Sequence, residues 1–340
     1  MFVNLQTKHM SQKVVTLGEV LMRLTVPNYK RLFQTVNFDV TFGGSEANVG
    51  ISLSHMGLDC THITALPHHD LGERVVRFLQ MNGMGTEGIV RKEGRLGIYF
   101  LECGAMQRPS KIVYDRFDTT FSEIQEVDVD WDAVFKNASW FHYSGITPAI
   151  SQGAADVTLR ALEEAKSRGV TTSGDINYRR NLWQYGKQPL DVMPGLVELT
   201  DYVVGGRVDL ENCLGIHDTD WSRNCELVQT KYPNVKGFSK TIRESLSASS
   251  NNLTVVMYKD GKLYTSKKYE MNNIVDRIGG GDAFMAGLIY GLLNLEDQQT
   301  VEYAVAASVL KHSTIGDVNL SSIEEVMRLV EGNNVGRLLR

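Results

Sequence analysis

Cysteine is scarce in this 340-residue chain, and the four cysteines are widely spaced. They stand at Cys60, Cys103, Cys213 and Cys225. Their spacing forms neither a Cys-x-x-Cys pair nor a zinc finger, which argues against a structural zinc site and a disulfide framework. Free thiols in a reducing compartment explain this usage, so we expect a cytoplasmic protein.

Long apolar runs and blocks of a single charge are also missing from the sequence. No window is long enough to span a bilayer, and the first residues lack the apolar core of a signal peptide. The net charge is −5 and no basic block stands out, which disfavours nucleic acid as a partner. We therefore expect neither a membrane nor a nucleic acid as a partner.

What the chain does contain is a regular alternation of short apolar strands and helices. After residue 131, strands are predicted at residues 139–144, 170–175, 201–204, 235–240 and 253–258. Helices are predicted between and after these strands, and residues 14–24 are predicted to form one further central strand. This alternation is typical of a mainly parallel sheet covered by helices on both faces, with ligands bound at the carboxyl ends of its strands.

The sequence VDRIGGGD at residues 275–282 runs directly into an apolar helix rich in small residues. Gly279, Gly280 and Gly281 let backbone N–H groups converge at the helix N-terminus, where the helix dipole favours an anion. Asp282 would repel that anion unless it is there to accept a proton. The pattern indicates phosphoryl transfer, with the glycine amides as anion hole and Asp282 as base. An N-cap aspartate after a structural glycine turn remains the alternative.

Residues 95–118 have a different sequence pattern from the rest of the chain. Alternating strands at residues 96–102 and 110–117 surround a polar loop, as in a hairpin with one wet face. With a third alternating strand at residues 36–42, they predict a small sheet inserted at about residues 35–43 and 95–118 of a single domain spanning residues 10–340. Such a sheet could act as a lid that shields phosphoryl transfer from water.

A second glycine turn, GGSEAN at residues 43–48, also leads into a helix, with Asn48 one turn inside it. Taken alone, this turn favours a structural role. The two glycine turns in this order, with the hairpin between them, resemble the two signatures of the ribokinase-like (PfkB) carbohydrate kinases over about residues 14–331. The resemblance implies an α/β fold, namely a ribokinase-like three-layer α/β/α sandwich with a mainly parallel central sheet and a small β-sheet lid.

Two further segments resemble the members of this family that phosphorylate 2-keto-3-deoxygluconate, a C6 sugar acid. They are YDR at residues 114–116 and DINYRRNLW at residues 175–183. The resemblance implies that Arg116 and Arg179 hold the substrate carboxylate by charge-assisted hydrogen bonds. Tyr99 and Tyr114 would cover the sugar chain. For either arginine alone, a surface ion pair is the alternative.

The remaining site residues also follow from the resemblance. At the substrate it places Gly43, Gly44, Asn48 and Asp317, with the C6 hydroxyl facing Asp282. At the ATP phosphates and ribose it places Asn177, Lys240, Thr241, Arg243 and Ser245, together with the amides of Gly279 and Gly281. Mg²⁺ would arrive with ATP, because the phosphates supply most of its ligands.

Two positions depart from the family pattern. The usual Asn-x-x-Glu, which organises Mg²⁺ and its waters, stands here as GRVD at residues 206–209, so Gly206 replaces the asparagine and Asp209 the glutamate. We expect Asp209 to reach the metal only through water, and altered metal dependence is a hypothesis. Arg277 replaces the signature threonine and either contacts the phosphates or points to solvent.

Three hypotheses therefore remain open. The first is a kinase acting on the C6 hydroxyl of 2-keto-3-deoxy-D-gluconate. The second is a fructokinase or other hexose kinase, whose neutral substrate would need no paired arginines. The third is a catalytically weakened family member that acts as a sugar-acid sensor or structural subunit. Apolar residues on both faces of the lid predict a homodimer or larger assembly through the lid.

Overall fold

The computed structural model describes residues 12–332. The two ends of the predicted domain, residues 10–11 and 333–340, and the segment before Met10 lie outside the described residues. The strands of the main sheet are β1 (Lys13–Leu17), β4 (Asp59–Pro67), β5 (Met84–Gly85), β6 (Ile89–Lys92), β9 (Ala138–Ser144), β10 (Thr171–Asp175), β11 (Tyr202–Val204), β12 (Gly237–Ser245), β13 (Ser250–Lys259), β14 (Lys262–Thr265) and β15 (Tyr269–Asn272). Those of a separate small sheet are β2 (Leu21–Thr25), β3 (Asp39–Gly43), β7 (Ile98–Glu102) and β8 (Lys111–Asp115).

The helices cover the main sheet on both faces. They are α1 (Ser45–His55), α2 (Asp70–Met81), α3 (Trp131–Phe135), α4 (Gln152–Ser167), α5 (Pro189–Val197), α6 (Arg207–Leu214), α7 (Trp221–Lys231), α8 (Gly280–Asn294), α9 (Asp297–Lys311) and α10 (Ile323–Val330). One apolar core contains residues of α1, α2, α8, α9 and α10, and a second core contains residues of α3 to α7. Val14 belongs to the first core and Val15 to the second, because successive side chains of a strand point to opposite faces.

The main sheet is mainly parallel, as predicted. Its strand order within the described chain is β14-β13-β12-β11-β10-β9-β1-β4-β5, with β6 paired to β4 and β15 to β13. The strands from β12 to β5 in this order are parallel, and β13 to β15 add an antiparallel end. The carboxyl ends of β1, β9, β10 and β11 therefore meet along one edge, where a ligand site is expected.

The prediction of one strand over residues 14–24 is wrong. The chain leaves the main sheet after Leu17 and re-enters the small sheet as β2, which pairs with β3 and β7. The break falls at residues 18–20, where the buried carboxylate of Glu19 accepts hydrogen bonds from Arg116 and Thr119. A buried charge that needs side-chain partners cannot continue an apolar central strand.

The two faces of the small sheet differ in what they contact. On the inner face, Leu21, Tyr99 and Leu101 form a cluster onto which Ile278 packs, beside the glycine turn. On the outer face, a cross-strand row runs through all four strands: Val40, Leu24, Phe100 and Val113. The predicted small sheet is therefore present and covers the loop before α8. It has a fourth strand, β2, whose residues were predicted as the end of the central strand over residues 14–24.

None of the described helices has both the length and the apolar composition needed to cross a bilayer.

Candidate active site

A cavity of about 510 Å³ lies between the small sheet and the carboxyl edge of the main sheet. The predicted site residues that line it are Gly43, Gly44, Asn48, Tyr99, Tyr114, Arg116, Asn177, Arg179, Arg243, Gly279, Gly281, Asp282 and Asp317. The N-termini of α1 and α8 both open into it. Thus the two glycine turns, more than 200 residues apart in sequence, meet at one site, as the resemblance implied.

Asp282 lies in the first turn of α8, and side chains of α1 hold its carboxylate. Ser45 Oγ donates to Asp282 Oδ1 at 2.8 Å, and Asn48 Nδ2 donates to Oδ2 at 2.7 Å. Desolvation by burial raises the pKa of Asp282 to about 6, although these two hydrogen bonds act in the opposite direction. A carboxylate that is ionised at neutral pH, but whose pKa is raised toward neutrality, is suited to general-base chemistry.

The glycine turn before α8 has the backbone that an anion hole needs. Gly279 caps the helix with φ 83°, a left-handed conformation that favours glycine, and a Cβ there would collide with the carbonyl oxygen of Asp317. Gly279 and Gly281 line the cavity, whereas Gly280 is buried with its α-carbon against the ring of His312. First-turn amides of a helix have no intrahelical acceptor, so the N–H groups of Gly279 and Gly281 can face a phosphoryl group, whereas Gly280 N donates to the carbonyl of Arg277 at 3.4 Å.

A buried ionic network forms the wall next to Asp282. Arg23 Nη1 donates to Asp317 Oδ1 and Nη2 donates to Asp276 Oδ2, each at 2.5 Å. The Tyr99 hydroxyl donates to Asp317 Oδ2 at 2.5 Å, so this hydroxyl and carboxylate are already paired with each other. The resemblance assigned Tyr99 and Asp317 to the substrate. Both do line the cavity, and the structure adds that Arg23 holds Asp317 in place.

The two predicted carboxylate-binding arginines are in different environments. Arg116 is buried, and its Nε and Nη2 donate to Glu19 Oε2 at 3.0 and 2.6 Å. Arg179 is exposed on the cavity wall, and its charge opposes the upward pKa shifts of Asp175 and Asp282. Arg116 already carries an internal partner, so Arg179 is the guanidinium that is better placed to meet a substrate carboxylate.

Further carboxylic acids face the cavity. Glu46 Oε1 accepts hydrogen bonds from Ser144 N and from Thr147 Oγ1, and burial raises the pKa of Glu46 to about 7. Desolvation, followed by the charges of Asp209 and Asp282, raises the pKa of Asp175 to about 8. With a pKa of about 6, Asp282 is the most readily ionised of these three carboxyl groups and so the one best suited to accept a proton.

The predicted nucleotide residues are only partly brought together. Arg243 and Asn177 line the cavity, whereas Lys240 packs 4.1 Å from the ring centroid of Trp221, and neither Lys240 nor Thr241 is in the lining of the described cavity. Ser245 lines an adjoining cavity of about 390 Å³ that shares Arg277 with the first. Arg277 lines both cavities, so it does not simply point to solvent, and its Nε donates to the carbonyl of Ala248 at 2.9 Å.

Asp209 is engaged with backbone amides. Its Oδ1 accepts from Tyr178 N at 2.9 Å and its Oδ2 from Gly206 N at 2.6 Å, so it caps the start of α6. Among the described residues no cluster of three or more metal-binding side chains is present. The described site therefore suits a metal ion that arrives with phosphate ligands better than one that the protein alone would hold. A role for Asp209 toward Mg²⁺ stays a prediction.

Several residues at the site had no predicted role. Glu19, Ser45 and Glu46 line the cavity, and Arg23 and Asp276 fix its wall. A signal for two of them was present, because Glu19 and Arg23 are the charged residues within the otherwise apolar segment of residues 14–24. Their partners are distant in sequence, so only the fold could identify them.

The comparisons with known proteins agree with this geometry. The sequence model of the pfkB family of carbohydrate kinases matches residues 11–323, so the chain belongs to that family. It is 43% identical to the 2-dehydro-3-deoxygluconokinase of Thermotoga maritima, whose crystal structure aligns with TM-score 0.90 over 95% of this chain and 99% of that one. It is 29% identical to the 2-dehydro-3-deoxygalactonokinase of Haloferax volcanii over 96% of this chain and 99% of the relative. A Ribokinase II from E. coli, solved with ATP and Mg²⁺, shares the fold at TM-score 0.79 and 19% identity, over 94% of this chain and 99% of that chain.

Proposed function

We propose that the chain phosphorylates the C6 hydroxyl of a 2-keto-3-deoxy sugar acid with ATP, and that 2-keto-3-deoxygluconate is the substrate. The observation that carries this proposal is the position of Asp282. Its carboxylate faces the cavity from the first turn of α8, beside the glycine turn, and is oriented by Ser45 and Asn48. The names of the Thermotoga and Haloferax relatives support the sugar-acid class.

In this proposal Asp282 takes the proton of the attacking hydroxyl, and the amides of Gly279–Gly281 stabilise the charge on the transferred phosphoryl group. With a pKa near 6, Asp282 is ionised at pH 7 but remains basic enough to receive the proton. The small sheet covers the glycine turn, because Ile278 packs onto the cluster that contains Leu21 and Tyr99. This cover limits access of water to the phosphoryl group.

The carboxylate of the sugar acid is the part of the substrate that needs a cationic partner. Arg179 is exposed on the wall, and Tyr114 stands beside Arg116, whose guanidinium carbon lies 5.7 Å from the Tyr114 ring centroid. We assign the carboxylate to Arg179, with Arg116 and Tyr114 completing its pocket. A guanidinium and a carboxylate form paired, charge-assisted hydrogen bonds, which a neutral hexose cannot offer.

ATP and Mg²⁺ belong to the same proposal. Arg243 and Arg277 bring two positive charges to the cavity, and Arg277 also lines the adjoining cavity, which suits a polyphosphate. The Ribokinase II structure with ATP and Mg²⁺ supports this donor within the fold. Mg²⁺ would neutralise charge on the phosphates, with most of its ligands coming from them. The cytoplasm, the expected compartment, contains this donor.

A substrate panel tests the proposal. ADP release is measured with 2-keto-3-deoxygluconate, 2-keto-3-deoxygalactonate, 5-keto-2-deoxygluconate and fructose, and the phosphorylated position is identified by phosphorus NMR. We expect the highest kcat/KM with 2-keto-3-deoxygluconate and a 6-phosphate product. Preference for fructose would support the hexose-kinase alternative. Sugar-acid binding in calorimetry without turnover would support the weakened sensor.

We also propose a homodimer formed through the outer face of the small sheet. Val40 and Val113, at the two ends of the cross-strand row, are 36% and 41% exposed, and Val36 nearby is 97% exposed. Exposed apolar rows of this kind mark association surfaces. Light scattering at micromolar concentration should give the mass of a dimer or larger assembly, and Val113→Lys should shift it toward the monomer. A wild-type monomer would contradict the proposal.

A further inference from the structure

The last turn of α9 lies directly behind the glycine turn and contacts it. Ser308 Oγ donates to the carbonyl of Gly280 at 2.7 Å. The carbonyl of His312 accepts from Val275 N at 2.9 Å, and the His312 ring lies under Gly280. These contacts make the end of α9 the support on which the backbone of the anion hole rests.

Lys311, the final residue of α9, is completely buried in this support. Its exposed fraction is 0%, and its Nζ faces the carbonyl oxygens of Asp276 and Thr314, each at 3.4 Å. Asp276 lies just before the glycine turn, and Thr314 lies in the segment that leads to Asp317. The ammonium group thus bridges the two backbone segments that enclose Gly279.

Stability alone explains this lysine poorly. Removing an ammonium group from water is costly, and burial lowers the pKa of Lys311. Contacts of 3.4 Å are longer than strong hydrogen bonds and return little of that cost. The charge does have a local use, because the carbonyl end of a helix carries partial negative charge that would otherwise face the anion hole.

The surrounding charges also indicate that the positive charge of Lys311 serves the glycine turn. Arg23 pairs with both Asp276 and Asp317, so these two carboxylates share one guanidinium. Lys311 adds a second buried positive charge to this network, and its ammonium is attracted by Asp276, Asp317 and Asp282. A phosphoryl group entering the anion hole brings further negative charge to the same place. A fixed cation behind the amides stabilises that charge without rearrangement.

We propose that Lys311 is a positioning residue of the phosphoryl-transfer site: its buried ammonium holds the Asp276 and Thr314 carbonyls and so keeps the Gly279–Gly281 amides aimed at the phosphoryl group. Lys311 does not line the cavity, so it acts through the backbone and not by contact with a substrate. This inference rests on the proposed function.

The first test compares Lys311→Met with the wild type. A small displacement of catalytic groups costs about 10²-fold in rate, so kcat should fall about 10- to 100-fold while KM for the sugar acid stays within about twofold. Lys13→Met is the matched control. Lys13, at the start of β1, is also buried, but its ammonium group pairs with Glu87. That variant should lose stability and keep its kcat. Wild-type kcat in folded Lys311→Met would overturn the inference.

Chemical rescue provides the second test. In Lys311→Ala, added ammonium or methylammonium chloride should restore kcat several-fold, because a small cation that donates hydrogen bonds can replace the lost group. Tetramethylammonium chloride at equal ionic strength should not. Equal responses to all three salts would contradict the inference. If Lys311→Met does not fold, Lys311→Gln, which keeps a donor but removes the charge, decides in its place.

A binding measurement separates this inference from the proposed function. The dissociation constants of ATP and ADP are measured by calorimetry without any sugar. Lys311→Met should weaken ATP binding more than ADP binding, since only ATP presents a γ-phosphate to the glycine turn. If no sugar acid is turned over by the wild type and this difference is still seen, the proposed substrate fails and the role of Lys311 stands. An unchanged ratio of the two constants would refute that role.

Discussion

Two charged parts of the cavity, the acidic wall beside Asp282 and the pair Arg243 and Arg277, are built in different ways. In the acidic wall, buried charges are paired with each other: Arg23 with Asp317 and Asp276, and Arg116 with Glu19. Arg243, by contrast, is exposed, and Arg277 donates to backbone carbonyls. Internal pairing fixes the acidic wall before any ligand binds. Arg243 and Arg277 keep their charge available for a polyanion.

Replacing Asp282, the proposed base, should produce the largest effect on turnover. Asp282→Asn keeps the size of the side chain but removes the proton acceptor, so kcat should fall about 10²- to 10⁴-fold. Binding of the sugar acid should be nearly unchanged, because the lost interaction acts chiefly in the transition state. Steady-state kinetics and calorimetry measure the two quantities. Near-normal turnover would refute the assignment of Asp282 as base.

Arg179 and Arg116 offer the sharpest comparison between an exposed and an internally paired charge at the cavity. Arg179→Met should raise KM for the sugar acid about 10- to 100-fold with little change in stability, because it removes a charge-assisted contact from an exposed position. Arg116→Met leaves Glu19 buried without its guanidinium and should lower the free energy of unfolding by about 3–5 kcal/mol. Urea denaturation and substrate titration distinguish the two. Equal losses of stability in the two variants would show that the pairing of Arg116 with Glu19 does not distinguish it from the exposed Arg179.

The pH dependence of the rate should report the raised pKa of Asp282. The group must be deprotonated to act as base, so kcat/KM should be constant above its pKa and fall as the pH drops through about 6. The decline should approach tenfold per pH unit. The profile is measured at fixed ionic strength, with the coupling enzymes checked separately. A limb near pH 4, the ordinary range of an aspartate, would mean that burial does not perturb this carboxyl.

The smallest effect is expected at the start of α6. Gly206 has φ −97°, and a Cβ there would stand 3.4 Å from Asp209 Oδ2, so an asparagine fits without backbone strain. Gly206→Asn restores the family's usual amide and should lower the Mg²⁺ concentration needed for half-maximal turnover by a few-fold. Identical Mg²⁺ curves for both proteins would remove the hypothesis that this position alters metal use.

Much of the fold could be predicted from local patterns. The strands over residues 139–144 and 170–175 were predicted from the alternation of short apolar strands and helices, and β9 and β10 lie there as Ala138–Ser144 and Thr171–Asp175. The small sheet was predicted from alternation at residues 36–42, 96–102 and 110–117, and strands are present in each of these segments. The prediction of a single strand over residues 14–24 failed for a simple reason. Both β1 and β2 are apolar and adjacent in sequence, and only the tertiary partners of Glu19 show where one ends.

The site was predictable where motifs are local and unpredictable where it depends on distant pairing. Asp282 and the glycine turn follow from a short sequence. The pairing of Arg116 with Glu19 joins residues 97 positions apart, and that of Arg23 with Asp317 joins residues 294 apart. Such partners depend on which strands become neighbours. The burial of Lys311 likewise depends on how α9 packs behind the glycine turn, which no local pattern shows.

The role of Asp282 can be examined in a crystal structure of Asp282→Asn with 2-keto-3-deoxygluconate and a non-hydrolysable ATP analogue. We expect the C6 hydroxyl within hydrogen-bond distance, about 2.6–3.2 Å, of the residue 282 side chain. We also expect the γ-phosphate analogue against the amides of Gly279–Gly281. A sugar acid bound with C6 directed away from residue 282 would refute the role of Asp282 as base.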